Sequence, residues 1–327
     1  MKIGLDVMGG DFAPKTTIEG AINALQFIPK EDTIVLIGDK SIIENELKNA
    51  GGDIQSFEII HTTDVIDMGE KPIKAFTQKT NSSIAVGFKM LKEGLLDAFS
   101  SAGNSGAMLV GSMYSVSTIP GVMRPCTCTV LPKEDGGVSV LVDIGTNPDS
   151  KPEVMYQFAI LGSLYAKYVY HIENPRIGLL NIGEEEEKGN LQCQAAFHLM
   201  KDSKDFDFHG NVEIRDLFKN KVDVFVCDGF IGNMVIKLIE TMYRQIYKRN
   251  LLDGYFKRMN YELYGGSAIL GVNAPVVIGH GISSGLAIQN MLLLSREVAA
   301  TNLTERIREA MVAYSQGNLQ NESECQN

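Results

Sequence analysis

The chain has 327 residues, 44 % of them hydrophobic, with a formal net charge of −10 at pH 7. That length and apolar share exclude a disordered segment and predict a large core, as two domains or one large α/β unit. The acidic balance argues against nucleic acid as a partner, and no apolar run reaches the roughly 18–20 residues of a membrane span.

The N-terminal Met1-Lys2-Ile3-Gly4-Leu5-Asp6 reads as a first strand. It lacks the apolar region and small-residue cleavage site of a signal peptide, so a cytoplasmic location is expected. The strand at 2–7 ends in Met8-Gly9-Gly10-Asp11, and Thr16 or Thr17 is expected to cap a helix to about residue 27. A strand at 33–37, a helix at 41–49 and a strand at 57–61 follow. Residues 64–80 have poor periodicity and contain Pro72, so they read as loop and irregular helix. A helix over 83–92 is capped from Asn81-Ser82-Ser83.

The central stretch runs from Leu95 to Leu109: a short apolar run, then Ser101-Ala102-Gly103-Asn104-Ser105-Gly106, then a helix to residue 117. Gly103 and Gly106 permit backbone shapes closed to other residues, and Asn104 or Ser105 can cap the helix. Such a turn aims several N–H groups at one point, which suits an anion such as phosphate. An ordinary capped turn fits that single stretch equally, and repetition of the pattern shifts the balance.

Extended segments follow at 126–131 and 138–143, then a helix over 152–170, a strand at 176–180 and a helix over 190–200. Strands are expected at 206–210, 222–227 and 275–278, with helices over 234–258 and 286–314 and a polar tail at 317–327. Strands alternating with helices predict a mostly parallel sheet covered on both faces, as a single domain over 1–316 with a helical hairpin at about 234–264. Six strand ends, after Asp6, Phe99, Leu141, Leu180, Val226 and Ile278, carry glycine with Asp, Asn, Ser or His. In parallel sheets ligands bind outside such carboxyl ends, so these turns are expected to form one crevice.

The candidates for binding substrate or phosphate are Asp6, Gly9, Gly10, Asp11, Gly103, Asn104, Ser105, Gly106, Asn190, Asp228, Gly229 and Ser283. The catalytic candidates are Lys151, Lys188, His280 and Asn233. Either lysine can hold phosphate as a point charge; a surface role for Lys151 and an ion pair of Lys188 with Glu184 to Glu187 are the alternatives. His280 can protonate a leaving thiolate or serve only as a hydrogen-bonded turn residue. Asp6, Asp11 and Asp228 can cap turns or orient a lysine or histidine.

No metal and no cofactor are expected. The run Glu184 to Glu187 suits a solvated helix start better than a cation site. Cys126 and Cys128 share one strand face and could hold a soft metal, although two packed thiols is the simpler reading. The five cysteines match no disulfide framework. The stretch from Lys237 to Arg258 is basic within an acidic chain and carries Tyr243, Tyr247, Leu251 and Tyr255. It reads as a dimer-forming hairpin, as a dock for an acidic carrier protein, or as a peripheral membrane contact.

The chain has no Gly-x-x-x-x-Gly-Lys-Ser/Thr loop, no Gly-x-Ser-x-Gly elbow, no His-Glu-x-x-His and no clean Gly-x-Gly-x-x-Gly after the first strand. What remains suits two bound substrates that react directly, an acyl group and an oxyanion, with backbone donors at the carbonyl oxygen.

Taken together, Asp6 to Asp11, Ser101 to Gly106, Asp143 to Glu153, Gly178 to Asn190, Gly210-Asn211-Val212-Glu213, Asp228 to Asn233, Tyr264-Gly265-Gly266 and Gly279-His280-Gly281 resemble the bacterial phosphate acyltransferases of the PlsX family. These stretches occur in family order over nearly the whole chain. The resemblance implies transfer of an acyl group from acyl-acyl-carrier-protein to inorganic phosphate. It also implies a homodimer and a fold similar to isocitrate and isopropylmalate dehydrogenases. The acyl phosphate would pass to a membrane glycerol-3-phosphate acyltransferase at the inner face of the cell membrane. A phosphate acetyltransferase using coenzyme A and a non-catalytic carrier scaffold are the alternatives. The sequence departs from the family pattern at Val7 and Phe12, where the first motif has Ala and His, and around Ser284, where Ile282-Ser283-Ser284-Gly285 lacks the acid of a Ser-Ser-Asp stretch. Its hairpin before Tyr264 is also shorter.

Overall fold

The structure is a computed structural model that describes residues 1–324, with side chains described to residue 316. In chain order the first elements are β1 (Lys2–Asp6), α1 (Lys15–Ala24), β2 (Thr33–Gly38), α2 (Lys40–Asn49) and β3 (Phe57–His61). Then come α3 (Pro72–Gln78), α4 (Ser83–Lys92), β4 (Ala98–Ser101), α5 (Ser105–Gly111), β5 (Cys126–Pro132) and β6 (Val138–Val142). The middle holds α6 (Pro152–Val169), β7 (Arg176–Leu180), α7 (Leu191–Met200), β8 (Asp207–Val212) and β9 (Val224–Val226). The chain continues through α8 (Gly229–Lys248), α9 (Gly254–Lys257), β10 (Ser267–Leu270), β11 (Val276–Ile278), α10 (Gly285–Ala300) and α11 (Leu303–Glu324).

Contacts divide the chain into two compact units: Met1–Ser117 with Tyr261–Ala300, and Thr118–Asn260 with the chain from Thr301 onward. The first unit has strand order β3-β2-β1-β4-β11-β10, parallel except that β10 runs antiparallel to β11. The second has β5-β6-β9-β7-β8, parallel except for the β5–β6 pair. The expected α/β class with a mostly parallel sheet is therefore what forms. Strands such as β2, buried from Ile34 to Gly38, are continuous apolar runs because helices cover both faces. The first core packs Phe88 edge-on against Phe99 at 5.2 Å between ring centres; the second gathers Leu141, Leu180, Val212 and Phe225.

Several boundaries differ from those the sequence suggests. Neither Thr16 nor Thr17 caps α1; Pro14 occupies that position, and the Thr17 hydroxyl donates to the Val7 and Pro14 carbonyls. The helix opened by α5 changes to a π turn over Ser112–Val116 and ends at Ser117 with φ 67°. Helix α8 begins at Gly229, one residue after Asp228, because that carboxylate caps it. Strand β10 carries no clear signal: four residues, following Gly265 and Gly266 at positive φ, are too few to show a period. The long last helix is two helices, α10 and α11, broken where Asn302 takes φ 53°. The expected polar tail is helical to Glu324 in α11, and residues 325–327 lie outside the described residues.

Candidate functional site

In the first unit β1, β4 and β11 are adjacent and parallel, so the loops after them leave from one edge. Asp6 ends β1 and is buried. Its carboxylate accepts from Met8 N at 3.0 Å and Ser101 Oγ at 2.6 Å, and Ser101 Oγ accepts in turn from Gly103 N at 2.9 Å. Burial raises the Asp6 carboxyl above its ordinary range, although bonds from Ser101, Ser83, Met8 and Gly9 pull the other way. Gly9 has no room for a side chain: an added Cβ would overlap Asp6 Oδ2 and stand 2.8 Å from Gly103 N. Asp11 N donates to the Gly281 carbonyl at 2.7 Å, tying the first loop to the third, while the Asp11 residue itself is exposed. Gly10 supports this turn at φ 116°.

Asn104 caps α5, accepting from Ala107 N at 3.0 Å. Its amide donates to the carbonyls of Asp67, Met68 and Glu70 at 3.0–3.2 Å. The side chain is thus fully engaged in holding two loops together. Ser105 is exposed, and Gly106 packs against Pro72. The His280 ring is half-buried with its centre 4.6 Å from that of Tyr261, and Ser283 is buried with its N–H donating to the His280 carbonyl. Ser284 donates to Glu262, a carboxylate from a distant stretch that the sequence did not single out.

In the second unit β6, β9 and β7 are likewise adjacent and parallel. Asp143, just past β6, is fully buried and organises the turn after it. It accepts from Thr127 N and Oγ1 at 3.1 Å, from Asn147 N at 2.6 Å and from Asn147 Nδ2 at 3.0 Å. Gly229 and Gly232 let α8 approach this hub: an added Cβ at Gly232 would overlap the Asp143 carbonyl oxygen. Asn233 is exposed beside Gly145. Lys151 is exposed at the N-cap of α6, where its side chain makes no cap bond.

The same unit holds a cavity of about 680 Å³ outside the carboxyl ends of β9, β7 and β8. Met155, Leu179, Leu180 and Cys227 form its buried floor. Cys193 lies on one wall, and Ile182, Ile214 and Ile231 stand at its edge with 81, 54 and 41 % of their surface exposed. The polar lining includes two residues the sequence picked out. Asn190 caps α7 by accepting from Cys193 N at 2.9 Å, and Asp228 caps α8 by accepting from Ile231 N at 2.8 Å. Glu213 and Arg215, paired at 2.9 Å, are not among the candidates, although Glu213 closes one of the stretches that carry the resemblance, because their place depends on β8 running to Val212.

Lys188 is exposed in the loop 181–190, its stem lying along Gly183. That loop is held by Asn181, whose amide donates to the Lys188 carbonyl and to Asn211 Oδ1, both at 3.1 Å. The adjacent acids face other lysines: Glu184 pairs with Lys221 at 2.7 Å and Glu186 with Lys201 at 3.8 Å. No cluster of three potential metal ligands occurs among the described residues.

Burial pushes the thiols of Cys126 and Cys227 well above their ordinary range and raises that of Cys193. On the basic stretch, Tyr255 donates to the Pro132 carbonyl and Arg258 to those of Lys133 and Gly137. Along α8, Phe230, Met234, Leu238 and Met242 form an exposed stripe at four-residue spacing. No helix among the described residues is long and apolar enough to cross a membrane.

With that geometry in place, comparison with known proteins decides the family. A family model described as "Fatty acid synthesis protein" matches residues 1–306. A phosphate acyltransferase of Endomicrobium trichonymphae is 40 % identical over 96 % of this chain and 99 % of its own length. One from Clostridioides difficile is 35 % identical over 99 % of this chain and 100 % of its own. The chain belongs to the phosphate acyltransferase (PlsX) family. Membership makes it an acyltransferase. Among solved structures, a phosphotransacetylase of Streptococcus pyogenes superposes with TM-score 0.66 at 17 % identity, covering 92 % of this chain and 94 % of that one. A branched-chain phosphotransacylase of Enterococcus faecalis gives 0.61 at 12 % identity, covering 91 and 99 %. At such identities the likeness speaks for the fold.

Proposed function

We propose that this acyltransferase moves a fatty acyl group from an acyl-carrier-protein thioester to inorganic phosphate, and that bound phosphate attacks the thioester carbonyl directly. The observation that carries the reading is the near-full-length likeness to relatives named phosphate acyltransferase. In the step, a phosphate oxygen bonds to the carbonyl carbon, the carbon–sulfur bond breaks, and the departing thiolate takes up a proton. The raised thiols of Cys126, Cys193 and Cys227 support direct attack, because a cysteine nucleophile needs its thiolate. Holding the two reactants in register is worth roughly 7–11 kcal/mol, so orientation can replace covalent catalysis.

Lys151 and Lys188, both exposed cations, are assigned to phosphate, and His280 to the proton transfer. The carrier docks on the exposed charges of Arg244, Lys248 and Arg249, and two copies of the chain pair through the apolar stripe of α8. The test mixes purified protein, acyl-carrier-protein thioester and phosphate, and follows free carrier thiol and acyl phosphate. Phosphate-dependent appearance of both is expected. Release only from acetyl-coenzyme A would replace the donor, and carrier binding without turnover would make the chain a scaffold.

A further inference from the structure

The cavity of the second unit has a chemistry of its own. Its floor is hydrocarbon and sulfur: Met155, Leu179, Leu180 and Cys227. Its polar side chains already have partners, mostly in the backbone around them. Asn181 donates to the Lys188 carbonyl and to Asn211, and its oxygen accepts from Ile182 N. Asn190 and Asp228 cap their helices. Arg215 is paired with Glu213. Glu213 and Asp228 set against Arg215 leave the lining net negative, which repels phosphate and the phosphates of a nucleotide-bearing donor. The volume of about 680 Å³ lies within the usual range of small-molecule sites, and the exposed isoleucines at its edge extend the apolar surface outward.

We propose that this cavity seats the hydrocarbon chain of the acyl donor, and that its depth sets which chain lengths the enzyme accepts. The inference rests on the acyl-transfer reading above, yet it concerns a different property and is tested apart from turnover. An unbranched chain needs a dry wall and no hydrogen-bond partner, which is what the floor offers. Each methylene that leaves water for such a wall strengthens binding about fourfold, so occupancy should climb steeply with length.

Cys193 provides the readout, since it is half-buried on the cavity wall. Its alkylation by a maleimide is followed by peptide-resolved mass spectrometry in the presence of unreactive thioethers, S-butyl-pantetheine and S-hexadecyl-pantetheine. The hexadecyl compound should slow labelling of Cys193 about tenfold at saturation, while the butyl compound at the same concentration leaves it unchanged. Equal protection by both, or none by either, overturns the proposal. Protection by the long chain in a protein without phosphate-dependent turnover would support the cavity assignment and refute only the proposed reaction.

Two variants add a second reading. Cys193→Phe shortens the cavity, and Ile214→Trp narrows its edge at a half-exposed position, where substitutions usually change stability little. Each should lower the ratio of kcat/KM for hexadecanoyl over butanoyl carrier thioester about tenfold. A ratio unchanged in both variants overturns the proposal.

Discussion

The two edges of the second unit's sheet are built on opposite plans. At the starts of its parallel strands, buried Lys133 and Asp223 and half-buried Arg176 close into an ion cluster. Lys133 and Arg176 both donate to Asp223, Arg176 N reaches it at 2.9 Å, and Asn220 accepts from both cations. At the ends of the same strands lies an open cavity with isoleucines exposed at its edge. One edge ties two cations to a single buried carboxylate and the Asn220 amide oxygen, and the other leaves apolar surface uncovered. Satisfied charges hold strands in place, whereas uncovered apolar surface marks a place for something else to bind.

The largest effect is expected from breaking the closed edge. Asp223→Ala leaves the buried Lys133 ammonium without its carboxylate and should cost about 3–5 kcal/mol in urea unfolding. Burial alone would raise the Asp223 carboxyl, but Arg176 and Lys133 pull it down to about 2. A depressed carboxyl stabilises the fold above its unfolded value near 3.8, and the contribution fades as pH falls toward about 2. Other depressed carboxyls such as Asp32 and Asp216 titrate in the same range, so an acid titration should lose about 2 kcal/mol more across that window in the parent than in Asp223→Asn.

Next in size is Gly232→Ala, which drives a methyl into the Asp143 carbonyl and should cost about 2–3 kcal/mol by thermal unfolding. A loss of that size would mean that the open edge rests on a close-packed polar hub, since Cys227 of the cavity floor lies against the same Asp143 carbonyl. Asn104→Ala, in the other unit, removes a cap and three bonds to loop carbonyls and should cost about 2 kcal/mol, with faster amide exchange over 67–70.

Smallest in stability is Lys151→Ala. The side chain is exposed and caps nothing, so unfolding should shift by less than about 0.5 kcal/mol. If Lys151 holds phosphate, the KM for phosphate should nonetheless rise at least about tenfold, the cost of one charge-assisted contact. An unchanged KM would return this lysine to the surface.

Much of this was legible in the sequence because alternation and turn chemistry are local. The strand ends after Asp6, Leu180 and Val226 were readable from their Gly, Asn and Asp residues, and so was the cap at Asn104, whereas Asn190 reads as the first residue of its helix and α8 reads as starting at Met234, so the caps at Asn190 and Asp228 come from the structure. What was not legible depends on contacts far apart in the chain. Glycines that look like flexible loop residues, Gly9 and Gly232, are instead sites of close backbone approach to Asp6 and Asp143. Asp143 gives no local sign that it will receive bonds from Thr127. The apolar floor combines Met155, Leu180 and Cys227, which come from α6, the end of β7 and the residue after β9, so no window of sequence contains it. Strand β10 is too short to carry a period, and the break at Asn302 is one left-handed residue within an otherwise helical pattern.

The direct attack of phosphate on the thioester is tested most sharply without phosphate. The protein is mixed with the acyl-carrier-protein thioester alone, quenched in acid and weighed intact. Direct transfer predicts an unmodified protein mass, with acyl phosphate appearing only once phosphate is added. A mass increase of one acyl group, lost on adding phosphate, would place a protein nucleophile in the pathway and contradict the mechanism.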